Sequence, residues 1–315
     1  VDLTGEFGWV KRMILKHGQD AKRSHARIIN FGGCVAALTD CAIYAGVEQL
    51  KSEDENAVVE SIKPGIKPSS KGTSSGGTVA SWLNSIESGA YKYDMHDAFF
   101  LCEKSEDYAW QSQHKQPKYS IIQCEYNDDM KMYAIPFIYG PVERMVFMRS
   151  NELLGFYYGE DAKIYENVMF IKNFVVGCLI SFFSWLIPML LSFALCRSCL
   201  VKLVKTMAYK QGQGPSLKQL QAQKWRELIY VNGKNKEQKQ LTCTVDIRIF
   251  GDYGYLNTAK LLIEQGIICS LQRSNPKIRK IKGGFLTPAA AFKSGLPKRL
   301  NARLKEFEIV YKIIK

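Results

Sequence analysis

Apolar residues recur at helical spacing at Trp9, Val10, Met13 and Ile14. They alternate with polar ones across Leu241, Cys243, Val245, Ile247 and Ile249, and they dominate without a charge from Asn173 to Cys196. The first pattern predicts an amphipathic helix, the second a half-buried strand, the third a segment that is apolar all round. Around them, Val1–Leu3 reads as a short strand closed by a Thr4-Gly5-Glu6 turn, and Ala26–Phe31 as a second strand closed by Gly32-Gly33. A small-residue helix follows from Ala36 to Leu50. Strand, helix, strand, helix is the signature of an α/β layer with parallel strands. Further on, Thr78–Ile86 and Ser216–Leu228 read as helices and Tyr119–Tyr126 and Met130–Phe137 as strands. The stretches 64–77 and Gln211–Pro215 are loop-like by their Gly, Pro, Ser and Gln content. There is no internal repeat.

The uncharged segment is bounded by Lys172 and Arg197, and about 20 apolar residues suffice to span a bilayer as a helix. Pro188 lies inside it and lacks the N–H a helix needs, which predicts a kink or break there. One kinked span and two shallow half-helices are therefore competing readings, beside a buried core helix of a soluble enzyme. Charge favours the membrane. Residues 1–196 carry 19 basic and 23 acidic side chains, residues 197–315 carry 24 and 7, and the whole chain is +13. A basic half directly after an apolar run suits anionic lipid, or the negative side of a membrane, rather than nucleic acid. Were the segment to span, Arg197, Lys202, Lys205 and Lys210 would lie in the cytosol or mitochondrial matrix.

The 315 residues and 46% hydrophobic composition exclude a disordered chain and suit two domains or one large one. The opening at Val1, inside an apolar stretch without a basic leader, predicts a preceding segment. Nine cysteines at irregular spacing imply a reducing compartment. Cys196-Arg-Ser-Cys199 has no second pair or nearby His, and His17, His25, His96 and His114 lack ligand spacing, so no metal is expected.

Four stretches carry a family resemblance. They are Val1-Asp-Leu-Thr-Gly-Glu6 with the helix to Ile14; Gly76-Gly-Thr-Val-Ala-Ser81; Gly251-Asp-Tyr-Gly-Tyr255 with Thr258-Ala259; and Gly283-Gly-Phe-Leu-Thr-Pro-Ala-Ala-Ala-Phe292 with Leu300, Arg303 and Leu304. In this order they resemble the saccharopine dehydrogenase-like oxidoreductases. The apolar run followed by Gln211–Pro215 is similar to the branch associated with membranes and lipid droplets. The resemblance implies an α/β fold in four parts: the C-terminal part of a Rossmann-type nucleotide domain at 1–50, a mixed α/β substrate and association domain at 51–168 and 211–315, and an inserted hydrophobic membrane segment at 169–210. It implies NAD or NADP as cofactor. Thr4, Gly5 and Glu6 would edge the nicotinamide cleft at a strand's carboxyl end, beside the Gly32-Gly33 loop. A bare capping turn is the competing reading of Thr4–Glu6, and Gly76-Gly77-Thr78 reads as a helix cap before it reads as an anion cradle.

Departures from the family pattern matter. No Gly-x-Gly-x-x-Gly follows a strand, so the chain itself shows no phosphate cradle. Tyr253 replaces a proline. Where the family carries a Gly-Phe-Asp-Ser-Ile-Pro-type loop, this chain has Gly32-Gly-Cys-Val-Ala-Ala37 and retains Asp40. Two functions are therefore expected: a membrane-associated NAD(P)-dependent oxidoreductase acting on a lipid-like or amino-acid-like substrate, or an inactive accessory subunit of a membrane protein complex. The expected addresses are the mitochondrial inner membrane or the endoplasmic reticulum and lipid droplets.

Overall fold

The computed structural model describes residues 1–67, 74–87, 89, 95–117, 123–274 and 283–315. Helix α1 (Phe7–Arg23), strand β1 (Arg27–Ile29) and helix α2 (Ala37–Glu53) lead into β2 (Val58–Lys67), α3 (Gly76–Glu87) and α4 (Tyr108–Gln113). Next come β3 (Glu125–Asn127), β4 (Met132–Pro136), α5 (Gly140–Leu153), β5 (Lys163–Ile164) and β6 (Val168–Ile171). Helices α6 (Phe174–Ser192), α7 (Ala194–Met207) and α8 (Leu217–Gln221) precede the long strands β7 (Lys224–Lys234) and β8 (Gln240–Phe250). The chain closes with α9 (Leu256–Ser274), β9 (Gly284–Leu286), α10 (Pro288–Phe292), α11 (Gly295–Arg303) and β10 (Phe307–Ile314).

Most strands form one sheet in the order β10-β8-β7-β2-β6-β4-β3, with β5 also pairing with β2. It is mixed, because β2 runs parallel to β5 and β6 and every other pairing is antiparallel. Separately, β1 pairs with β9 in parallel. The fold is thus α/β, as the alternation of elements predicts, but its main sheet is mixed and not the parallel layer that alternation suggests. The β8 alternation buries Leu241, Cys243, Val245, Ile247 and Ile249, each contributing about 1.5–3 kcal/mol by leaving water. Their partner is α2, whose small residues let it lie close: a Cβ added at Gly46 would stand 3.0 Å from the Cγ2 atoms of Val231 and Val245. Helices α5, α10 and α11 cover α2 in turn, so residues 37–53 pack with the large sheet while β1 belongs to the small one.

Several boundaries differ from those the sequence pattern predicts. Val1–Leu3 is extended beside β1, the Asp2 N–H donating to Ile29 O at 2.8 Å and the Gly32 N–H to Asp2 O at 2.8 Å, without becoming a regular strand. Pro64–Lys67 is the end of β2 rather than loop; residues 68–73 and 119–122, and the basic stretch Lys277–Lys282, lie outside the described residues. Ser216–Leu228 is one short turn of helix, opened by a Ser216–Gln219 capping box, followed by β7. The helix signal failed because Glu227, Leu228 and Ile229 are all buried, which erases the period of two. The uncharged segment does break, but at the extended Phe193 and not at Pro188, which α6 carries through to Ser192.

Folding also changes the charge picture. Lys205, Lys234, Lys298 and Lys315 pair with Glu87, Glu60, Glu48 and Glu53 of the acidic first half. Part of the sequence asymmetry is therefore internal, because the two halves share one sheet.

Candidate functional site

The chain enters the site along β1. Past Ile29, Phe31 takes a left-handed backbone (φ 59°), a conformation a bulky residue holds only when its surroundings enforce it. Its ring is locked among Phe7, Val10 and Ala36. This brings Gly32-Gly33 against the opening residues, so that the five positions singled out in the sequence gather at one end of β1. They are not equivalent. A Cβ at Gly32 would meet Val1 Cγ1 at 2.8 Å and Gln265 Oε1 at 3.0 Å, and one at Gly33 would meet Leu3 Cβ at 3.4 Å; both glycines are buried. At Gly5 an added Cβ meets nothing within 4 Å. The open edge is therefore Thr4-Gly5-Glu6. Thr4 Oγ1 accepts from the Glu6 N–H at 3.2 Å, and Glu6 takes the N-cap position of α1.

Across the edge lies α3. The Glu6 carboxylate accepts from Ser81 Oγ at 2.8 Å, which ties the start of α1 to α3. At the start of α3 the Gly76 N–H donates to Gln213 O at 2.9 Å and the Thr78 N–H to Ser75 Oγ at 3.3 Å. Tyr255 completes this wall. Its hydroxyl accepts from the Ser75 N–H at 2.6 Å and lies 2.9 Å from Thr78 Oγ1. Between Ser75, Gly77, Tyr255, Leu220 and the loop 212–215 is a cavity of about 340 Å³.

The Gly251–Tyr255 motif holds both walls. Asp252 accepts from the Tyr255 and Leu256 N–H groups and so opens α9. From α9, Thr258 Oγ1 accepts from the Cys34 N–H at 3.2 Å and Gln265 Nε2 donates to Gly32 O at 2.6 Å. The Gly32–Cys34 loop and Tyr255 are thereby fixed by the same helix. Burial pushes the Cys34 thiol up to about 11, with Glu143 and Asp252 nearby adding to the rise, which favours its neutral form.

Beneath the loop is a buried polar layer. Glu227 accepts from Thr39 Oγ1 at 3.0 Å and from Asn167 Nδ2 at 2.9 Å. Burial raises its carboxyl to about 7, and burial together with the Glu227 charge holds Glu143 well above the usual carboxylate range. Glu143 Oε2 has no hydrogen-bond partner among the described residues, so this layer favours the proton-bearing forms. Asp40 belongs to a neighbouring knot: its Oδ2 lies 2.7 Å from Ser150 Oγ and accepts from the Ala289 N–H at 2.8 Å, while Ser150 Oγ lies 2.6 Å from Thr287 Oγ1. Two sequence motifs thus meet in the core instead of at the open edge. A second cavity, of about 400 Å³, lies by β2, β4 and β6, with the buried Arg144–Glu166 pair at its wall.

Sequence reasoning did not assign Tyr255 a place at the cavity, nor find the Glu143–Glu227 layer. The Tyr255 motif was visible, but the hydroxyl's partners are far away in sequence. Glu227 lay in a stretch that reads as helix.

Similarity to known proteins points to oxidoreductases. Two curated proteins of Mycobacterium tuberculosis, from strains H37Rv and CDC 1551, carry names that propose a trans-acting enoyl reductase. Each is 26% identical to this chain over 315 residues, covering 96% of the chain and 71% of its own length. No family profile matches the chain. No solved structure matches it.

Proposed function

We propose that the chain forms the substrate-side cleft of an NAD(P)-dependent oxidoreductase held at a membrane surface, reducing an unsaturated acyl-type substrate. The observation that carries this is the cavity walled by the start of α3 and Tyr255, with Thr4–Glu6 tied to the same helix through the Glu6–Ser81 hydrogen bond, in a chain similar over nearly its whole length to proteins named as reductases. The bound dinucleotide would supply the hydride. The open Gly5 edge fits the approach of a flat ring, with Thr4 and Glu6 beside it. Protein atoms fill the space before Gly32, which leaves no room for a ligand there, and no Gly-x-Gly-x-x-Gly follows a strand in the sequence. Tyr255 is a proton-bearing group at the cavity wall, its oxygen fixed by Ser75 and Thr78, and is positioned to protonate a reduced carbon. The membrane address rests on α6, which is long and apolar enough to cross a bilayer and is mostly exposed.

The packed Gly32-Gly33 loop also favours a second reading, a fold retained as an accessory subunit of a membrane complex. Fluorescence titration of the native, full-length protein with NADPH and NADH in mild detergent separates the two. Saturable micromolar binding supports the enzyme; absence of binding to either nucleotide overturns it in favour of the subunit.

A further inference from the structure

We infer that α6 and α7 form a monotopic hairpin that enters one lipid leaflet and leaves by the face it entered. The inference rests on the membrane reading above and adds its topology. The roots of the hairpin decide it. Strand β6, which leads into α6, and strand β7, which follows α7 and α8, are the two neighbours of β2: Gly65 pairs with Val168 on one side and with Leu228 on the other. Two strand spacings put β6 and β7 about 10 Å apart. A segment whose ends are fixed in one rigid sheet at that distance must cross a bilayer twice or not at all.

It lacks the material to cross twice. The first half of α6 is docked on the protein: a Cβ at Gly177 would lie 3.0 Å from Cys124 Sγ and 3.3 Å from Ile135 Cγ2, and the buried Ser181 accepts from the Gln123 N–H at 2.9 Å. Only Phe182–Ser192 extends past this contact. At 1.5 Å per residue that is about 16 Å, roughly half of a hydrocarbon core of about 30 Å. The return helix α7 has 14 residues and carries Arg197, Lys202 and Lys205, where each charge at a bilayer centre costs about 3 kcal/mol. It folds back at once, with Arg197 Nη1 donating to Leu191 O at 3.0 Å, and its far end is moored to α3 by Lys205–Glu87 at 2.9 Å. Phe182, Phe183, Ile187, Met189, Phe193 and Leu195 are left exposed on the hairpin. Lys172 precedes α6, and Arg197 and Lys202 lie along α7. This arrangement fits one leaflet containing anionic lipid.

The test uses full-length protein reconstituted into sealed phosphatidylcholine–phosphatidylserine vesicles. Lys172→Cys and Lys210→Cys, both exposed positions flanking the hairpin, are made separately in a background with Cys196→Ser and Cys199→Ser. Each is treated with a membrane-impermeant maleimide before and after detergent lysis and compared with the background. The expected result is flotation with the vesicles and full labelling of both positions before lysis. Flotation with one position labelled only after lysis overturns the hairpin while sparing the membrane reading. Failure to float, with α6 covered by a second copy or another protein, overturns both.

Discussion

Asp40 shows how one buried carboxyl ties three helices and sets a pH dependence. It joins α2 to Ser150 of α5 and to the start of α10, and burial raises its carboxyl from 3.8 to about 7. A raised acid contributes its full stability below the unfolded value and loses it as pH climbs through the folded one. Between pH 3.8 and about 7 the protein should therefore lose on the order of 4 kcal/mol through this residue, at 1.36 kcal/mol per unit. In Asp40→Asn the amide oxygen keeps both acceptor contacts, so urea unfolding across that window should show a flatter profile. A curve parallel to wild type would refute the assignment. Tyr255 makes a prediction about activity. Replacing it by Phe removes the proton and leaves the half-buried Ser75 N–H without its acceptor. Turnover should fall by roughly 10²-fold with nucleotide affinity unchanged; a change of less than twofold would place the phenol outside the chemistry.

At the level of elements, close approach of α2 to β7 and β8 is the packing that most constrains substitution. Gly46→Leu would drive a side chain into Val231 and Val245 and should destabilise by about 1–3 kcal/mol, measured as a lowered urea midpoint with unchanged slope. The same contrast explains what was legible in the sequence. β8 was readable because one face is buried and the other is wet, so Leu241 to Ile249 alternate. β7 was not, since it is buried on both faces at Glu227–Ile229. Pro188 misled because α6 carries the proline through to Ser192, and the break falls at Phe193. Of the site, the gathering of Thr4–Glu6 with Gly32-Gly33 followed from motif order. The filled space before Gly32 and the Glu143–Glu227 layer did not, because both depend on contacts between segments remote in the chain.

For the whole molecule, part of the basic second half is neutralised by the first half, through Lys205, Lys234, Lys298 and Lys315, and part by its own carboxylates, as in Arg226–Asp246, Arg248–Glu308 and Lys260–Glu306. On the proposed reading, binding to anionic vesicles should weaken as salt rises past about 0.1 M, where the Debye length falls to about 10 Å, while apolar insertion of α6 retains part of it. Co-sedimentation across a salt series measures the two contributions; complete release would leave no role for α6. The loop 212–215 that lines the cavity begins shortly after α7 ends at Met207, so the proposed catalytic mouth and the proposed anchor are consecutive in the chain. An enzyme built this way searches an area instead of a volume. Its rate would follow the mole fraction of substrate in the lipid, so that adding inert lipid at constant total substrate would slow turnover although no concentration in the water had changed.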